Sequence, residues 1–82
     1  MASVEVNDRL YYTGDMANPD GWGTVRGVTP PEVEMVCDDG RVFHILAYTI
    51  GDTYKGHCDP PFVTAKAVLV YRAGRFPLPR KQ

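Results

Sequence analysis

The side chains able to hold a soft metal ion are Cys37, His44, His57 and Cys58. Their order, Cys-x6-His-x12-His-Cys, contains no Cys-x2-Cys or His-x3-His pair. Structural zinc sites draw on such short pairs, because a turn or helix face then presents two donors to one tetrahedral ion. Adjacent His57 and Cys58 reach a common ion only with difficulty. Cys37 shares the parity of Val33 and Met35 and reads as a core residue. The expectation is no metal and no cofactor. The adjacency also weakens Cys58 as a nucleophile with His57 as its base. Such a pair needs spatial reach and a third orienting group, and none is evident, so an inert thiol is the plainer reading.

Asp15, Asp20, Asp38, Asp39, Asp52 and Asp59 nearly all stand beside Gly or Pro, which makes them turn residues. None fits a calcium loop, which needs oxygen ligands at alternate positions and a closing Glu. Gly21-x-Gly23 lacks the third glycine of a phosphate-binding turn and does not join a strand to a helix. With no triad, metal or phosphate constellation, the chain reads as a non-enzyme.

The aromatic set is more informative. Tyr11, Tyr12 and Trp22 flank a long loop, and rings at the adjoining ends of two strands can line one groove. An aromatic groove holds a Pro-rich peptide, a cationic side chain or an unstacked base. Core or rim packing is the competing reading for each ring. Asp15 and Asn18 lie in the loop itself. Arg26 and Arg41 are expected to face outward, as part of a scattered solvated face sooner than of a modest basic edge formed with the tail.

The elements that must position these residues follow from alternation. Residues 4–12 read as a first strand, interrupted by Asn7-Asp8, so that it effectively begins at Arg9. Residues 13–21 form a loop longer than an ordinary hairpin connection, with Asn18-Pro19-Asp20-Gly21 as its turn signature. Residues 22–28 are a second strand whose Gly23 and Gly27 mark a bulge or close approach. Residues 32–38 and 41–46 are two strands joined at Asp39-Gly40, a pair suited to a tight turn with positive φ. Residues 48–59 are irregular, with room for one short strand. Residues 65–73 suit either helix or strand; Thr64 as N-cap and Gly74 as stop favour helix. Its face is expected to be Ala67, Val68, Val70 and Tyr71, covering an open barrel edge. Residues 1–76 thus form one domain with a helix over about 64–74, and 77–82 form an extended tail.

Composition agrees with a small globular domain: 82 residues, 44% hydrophobic and 23% charged. A net charge of −1 argues against a dedicated nucleic-acid binder. No apolar run is long enough to span a membrane, and the N-terminus lacks the regions of a signal peptide. The expected compartment is the cytoplasm, with both cysteines reduced.

The stretch from Val6 to Tyr12, the loop, and then Gly21-Trp22-Gly23-Thr24-Val25-Arg26-Gly27-Val28 resembles the KOW-like and Tudor-like members of the SH3-like barrel group. Those families open with a hydrophobic residue, Gly-Asp and a short alternating strand; here Asn7 replaces the Gly. The likeness covers roughly residues 4–46. The loop together with Asp-Asp-Gly-Arg and a late Phe-Val-Thr is also similar to small uncharacterised proteins of bacterial plasmids and mobile elements. The resemblance implies a mainly β fold, an SH3-like small barrel of four to five antiparallel strands with a C-terminal helix. The function expected is a non-catalytic binding module acting through protein–protein contact, as monomer or homodimer. The alternative is a nucleic-acid-binding module with arginines on phosphates and rings on bases.

Overall fold

The short alternating runs pair into one sheet. The computed structural model describes residues 3–57 and 60–75. The strands are β1 (Arg9–Tyr12), β2 (Gly21–Thr29), β3 (Glu32–Cys37), β4 (Val42–Leu46), β5 (Ile50–Gly51) and β6 (Phe62–Thr64), with a 3-10 turn (Ala47–Thr49) before β5 and a helix, α1 (Ala65–Arg75), after β6. The order across the sheet is β4-β3-β2-β1-β6-β5, curled into a half-barrel. All pairings are antiparallel except β5 with β6. The fold is mainly β with a C-terminal helix, as expected. The sheet has six strands because the late Phe-Val-Thr forms β6, inserted between β1 and β5.

Strand alternation sets two faces. Leu10, Tyr12, Val25, Val33, Met35, Cys37, Ile45, Ile50 and Phe62 fill the inner core. The register of β2 on β3 slips between Val25 and Gly27, so a bulge falls where the glycines predict one. Gly23 serves close approach: a Cβ there would stand 2.5 Å from Met35 Cε and 2.9 Å from the Val36 carbonyl oxygen. The β3–β4 connection turns at Asp39-Gly40, with the Gly40 N–H donating to the Cys37 carbonyl at 2.9 Å and Gly40 at φ +97°. Asn7, which replaces the expected Gly, adopts φ 80°, a left-handed conformation that Asn tolerates better than most residues.

Thr64 caps α1, its Oγ1 accepting from the Ala67 N–H at 3.2 Å; such a cap stabilises a helix by about 1 kcal/mol. Gly74 does not stop the helix, which runs to Arg75. Nor does α1 cover an open barrel edge. It follows β6 without a linker, so it lies over β1 and β6 on the outer face, burying Ala67 and Val68 beside Val63. Val70, expected in this face, is 63% exposed. The tail at residues 77–82 lies outside the described residues, as does Cys58.

Candidate binding surface

Neighbours on a strand point to opposite faces, and this divides the predicted aromatic set. Tyr11 and Trp22 are cross-strand partners on the outer face, with ring centroids 5.2 Å apart. Tyr12 is turned into the core, 4.8 Å from Phe43 and 5.0 Å from Phe62. It therefore shares no groove with the other two. Two rings that sequence reasoning left out of the site complete the surface. Tyr54 lies 5.8 Å from Tyr11, and Tyr71 of α1 lies 4.8 Å from Tyr54. Trp22, Tyr11, Tyr54 and Tyr71 form a continuous row, each half-buried, backed by Val63, Ala67 and Val68. The tilted and edge-on contacts suit ring quadrupoles.

Polar contacts hold the row in place. The Tyr11 hydroxyl donates to the Asp20 carboxylate. Burial, then this hydrogen bond, raises the Tyr11 phenol well above its ordinary value. At the other end Arg9 lies over Trp22, 5.8 Å from the ring centroid. Its two terminal nitrogens donate to the two Asp38 oxygens at 2.7 Å each. This pairing holds the Asp38 carboxyl below its usual range and raises Arg9. The Asp38 N–H donates to the Trp22 carbonyl at 2.9 Å, so the charge pair is anchored to the strand carrying the ring.

The loop between β1 and β2 is organised by Asp15. Its Oδ1 accepts from the Ala17 and Asn18 N–H groups at 2.8 and 2.7 Å. Asn18 Nδ2 donates to both carboxylate oxygens at 3.2 and 3.3 Å, and the Tyr12 hydroxyl donates to Oδ2 at 3.0 Å. These bonds, the one from Ala17 foremost, keep the Asp15 carboxyl below its usual range. Gly14 has φ +80°, and a Cβ there would lie 2.8 Å from the Asp20 backbone nitrogen, so the turn needs glycine. The result is a closed loop that presents Met16 fully to solvent. Between this loop and residues 54–57 runs an open cleft of about 500 Å³, lined by Asp15, Met16, Asn18, Asp20, Tyr54 and His57 among others. A second cleft of about 260 Å³ lies on the other side of Tyr54, against Thr64, Lys66, Val70 and Tyr71.

Of the two predicted arginines, one faces outward and the other does not. Arg26 is exposed at the β2 bulge. Arg41, expected to face outward, folds back over the core. Its Nε donates to Asp39 at 2.8 Å and its Nη1 to the Pro19 carbonyl at 3.0 Å, and its guanidinium covers Tyr12 and Phe43. A long side chain at a hairpin end buries its stem this way. Of the soft-ligand residues, Cys37 is buried on the inner face, where burial raises its thiol, and His44 lies on the outer face beside Glu32 and Glu34 at 3.6 and 4.0 Å. Among the described residues no cluster of three or more His, Cys, Asp or Glu is placed to hold a metal ion, and no helix is long and apolar enough to cross a membrane.

These features define a mainly β half-barrel with a helix on its outer face and an aromatic row beside that helix. Comparison of the chain with protein-family models, curated proteins and solved structures gives no match.

Proposed function

We propose that this protein is a non-catalytic binding module that takes an extended protein segment along the Trp22–Tyr11–Tyr54–Tyr71 row. The observation that carries the reading is the continuity of four half-buried rings, each held by contacts of its own. Rigid aromatic rings supply contact area at low entropic cost, and anchors of this kind dominate binding energy at protein interfaces. The flanking clefts and Met16 extend the surface beyond the rings. An SH3-like reading of the half-barrel is supported by the long β1–β2 loop, the glycine bulge and the positive φ at Asn7.

Trp22 is the only tryptophan, so its fluorescence reports directly on the row. A partner captured from host extract should shift that emission when added back. Trp22→Ala and Tyr54→Ala should each abolish capture while circular dichroism stays unchanged. Retention of the partner by both folded variants would refute the reading. Bases also stack on aromatic rows, so the variants are to be compared on mixed DNA and RNA at two salt concentrations. Binding that weakens steeply with salt and depends on Trp22 would replace a protein partner with a nucleic acid.

A further inference from the structure

A sheet edge carries unpaired backbone groups, and proteins blunt it with Pro, Lys, a bulge or a covering element. β4 is one edge of this sheet. Its sequence, Val-Phe-His-Ile-Leu, has no Pro or Lys, its register on β3 is unbroken, and among the described residues its only strand partner is β3. The backbone phase follows from two bonds at its ends: the Cys37 N–H donates to the Arg41 carbonyl and the Ala47 N–H to the Pro31 carbonyl, each at 2.7 Å. In an antiparallel ladder, hydrogen-bonded pairs alternate with non-bonded ones. Arg41, Phe43, Ile45 and Ala47 therefore bond inward to β3, whereas Val42, His44 and Leu46 aim their N–H and C=O groups at the open edge.

We propose that β4 pairs with β4 of a second copy, antiparallel, about a two-fold axis through His44. The occupant is a second copy because the strand is its own complement. Reversed about His44, the pattern remains apolar, apolar, His, apolar, apolar on the same alternation of faces. That register sets Val42 opposite Leu46 of the second copy and His44 opposite its equivalent, which makes every outward-aimed residue a hydrogen-bonded pair. Such a contact is isologous, as a two-fold requires. The Leu46 carbonyl already accepts from the Thr49 hydroxyl at 2.7 Å and Leu46 caps the 3-10 turn, so the seam rests chiefly on the His44 pair and on the bonds from the Leu46 N–H groups to the Val42 carbonyls. Val42 and Leu46, 51% and 43% exposed, would cover each other across the seam.

Charge is compatible with this register. Arg41 is tied to Asp39. Glu32 and Glu34 stand one strand back, beside His44 of their own chain. They would be separated from their equivalents by three strand spacings, about 14 Å, which is beyond the Debye length at physiological salt. One five-residue strand pair falls short of the roughly 1,200 Å² of a stable interface, so the dimer is weak and concentration-dependent. Its axis is perpendicular to the sheet, which places both aromatic rows on the same side and makes the pair bivalent.

Sedimentation of the full chain over a hundredfold concentration range tests this. The mass should rise from 9.1 kDa toward twice that value, and the Val42, His44 and Leu46 amides should gain exchange protection with concentration. His44→Pro deletes an outward N–H and leaves the β3 ladder whole, and edge strands accept Pro at such positions. It removes two bonds from the seam and should weaken self-association on the order of tenfold or more. Leu46→Lys, which keeps the backbone intact, should weaken it as well. A monomeric mass at every concentration, a dimer untouched by Leu46→Lys, or protection confined to β5 or the aromatic row would overturn the proposal.

Discussion

The Arg41 guanidinium lies 5.6 Å from the centre of the Tyr12 ring, although Arg41 sits in the turn before β4 and Tyr12 ends β1. One side chain thereby joins the β3–β4 hairpin to the core and, through the Pro19 carbonyl, to the long loop. Its Nη2 is buried without a hydrogen-bond partner among the described residues, against Gly21, where a Cβ would stand 2.9 Å away.

Arg41→Ala is expected to cost about 1–2 kcal/mol, since it removes a cation–π contact, a stem that covers two rings and a bond to a loop carbonyl. Arg41→Met keeps the stem and should recover part of that loss. Arg41→Lys lacks the fork that reaches Asp39 and Pro19 together and should not restore full stability. Urea denaturation checks this: midpoints should order wild type, Met, Ala, with unchanged slopes.

Gly23→Ala should cost about 1–3 kcal/mol, because its Cβ enters the space of Met35 and of the Val36 carbonyl. Met35→Ala in the same chain clears only the side-chain clash. The double variant should therefore be less destabilised than the two single losses added together, and a double-mutant cycle measures that coupling.

The first four strands were legible because each is long enough to show a period of two, and because Gly27, Asp39-Gly40 and the Pro-Pro pair punctuate them. Strands β5 and β6 are two and three residues long, too short for any period to emerge. The division of Tyr11 from Tyr12 was also present in the sequence: Tyr12 shares parity with Leu10, and placing both tyrosines in one groove set that parity aside. Arg41 was not legible in the same way, because a residue beside a turn follows no strand alternation. Tyr54 and Tyr71 were hidden for another reason. Tyr54 sits in an irregular segment, and the seating of Tyr71 under Gly56 is a tertiary contact that local spacing does not encode.

Acid should destabilise the protein through Asp15, Asp38 and Asp39, whose carboxyls are all held below their ordinary value. The backbone N–H groups of Ala17 and Arg41 act first on Asp15 and Asp39, and the Arg9 guanidinium on Asp38. A depressed folded value means that the unfolded chain binds protons first. The stabilisation is therefore complete above the ordinary carboxylate value and is lost as pH falls through the folded values. Stability measured from pH 7 downward should hold until near pH 4 and then decline. Asp15→Asn cannot titrate and should flatten part of that decline; an unchanged acid limb would remove Asp15 from the account.

The alkaline limb should report on Tyr11. Burial in the aromatic row and the bond to Asp20 raise its phenol, so the unfolded chain releases this proton before the folded one does. The associated stability is fully present below the ordinary tyrosine value of 10.0 and is lost as pH rises toward the folded value. Tyr11→Phe removes both the titration and the hydrogen bond. It should lower stability at neutral pH by about 1 kcal/mol while making stability less steep in pH above about 10. Absorbance titration of the native protein offers a second reading, in which Tyr11→Phe removes one phenol that ionises above the ordinary value. In the Asp20→Asn variant Tyr11 should titrate lower than in wild type, with Trp22 emission reporting any loosening of the row.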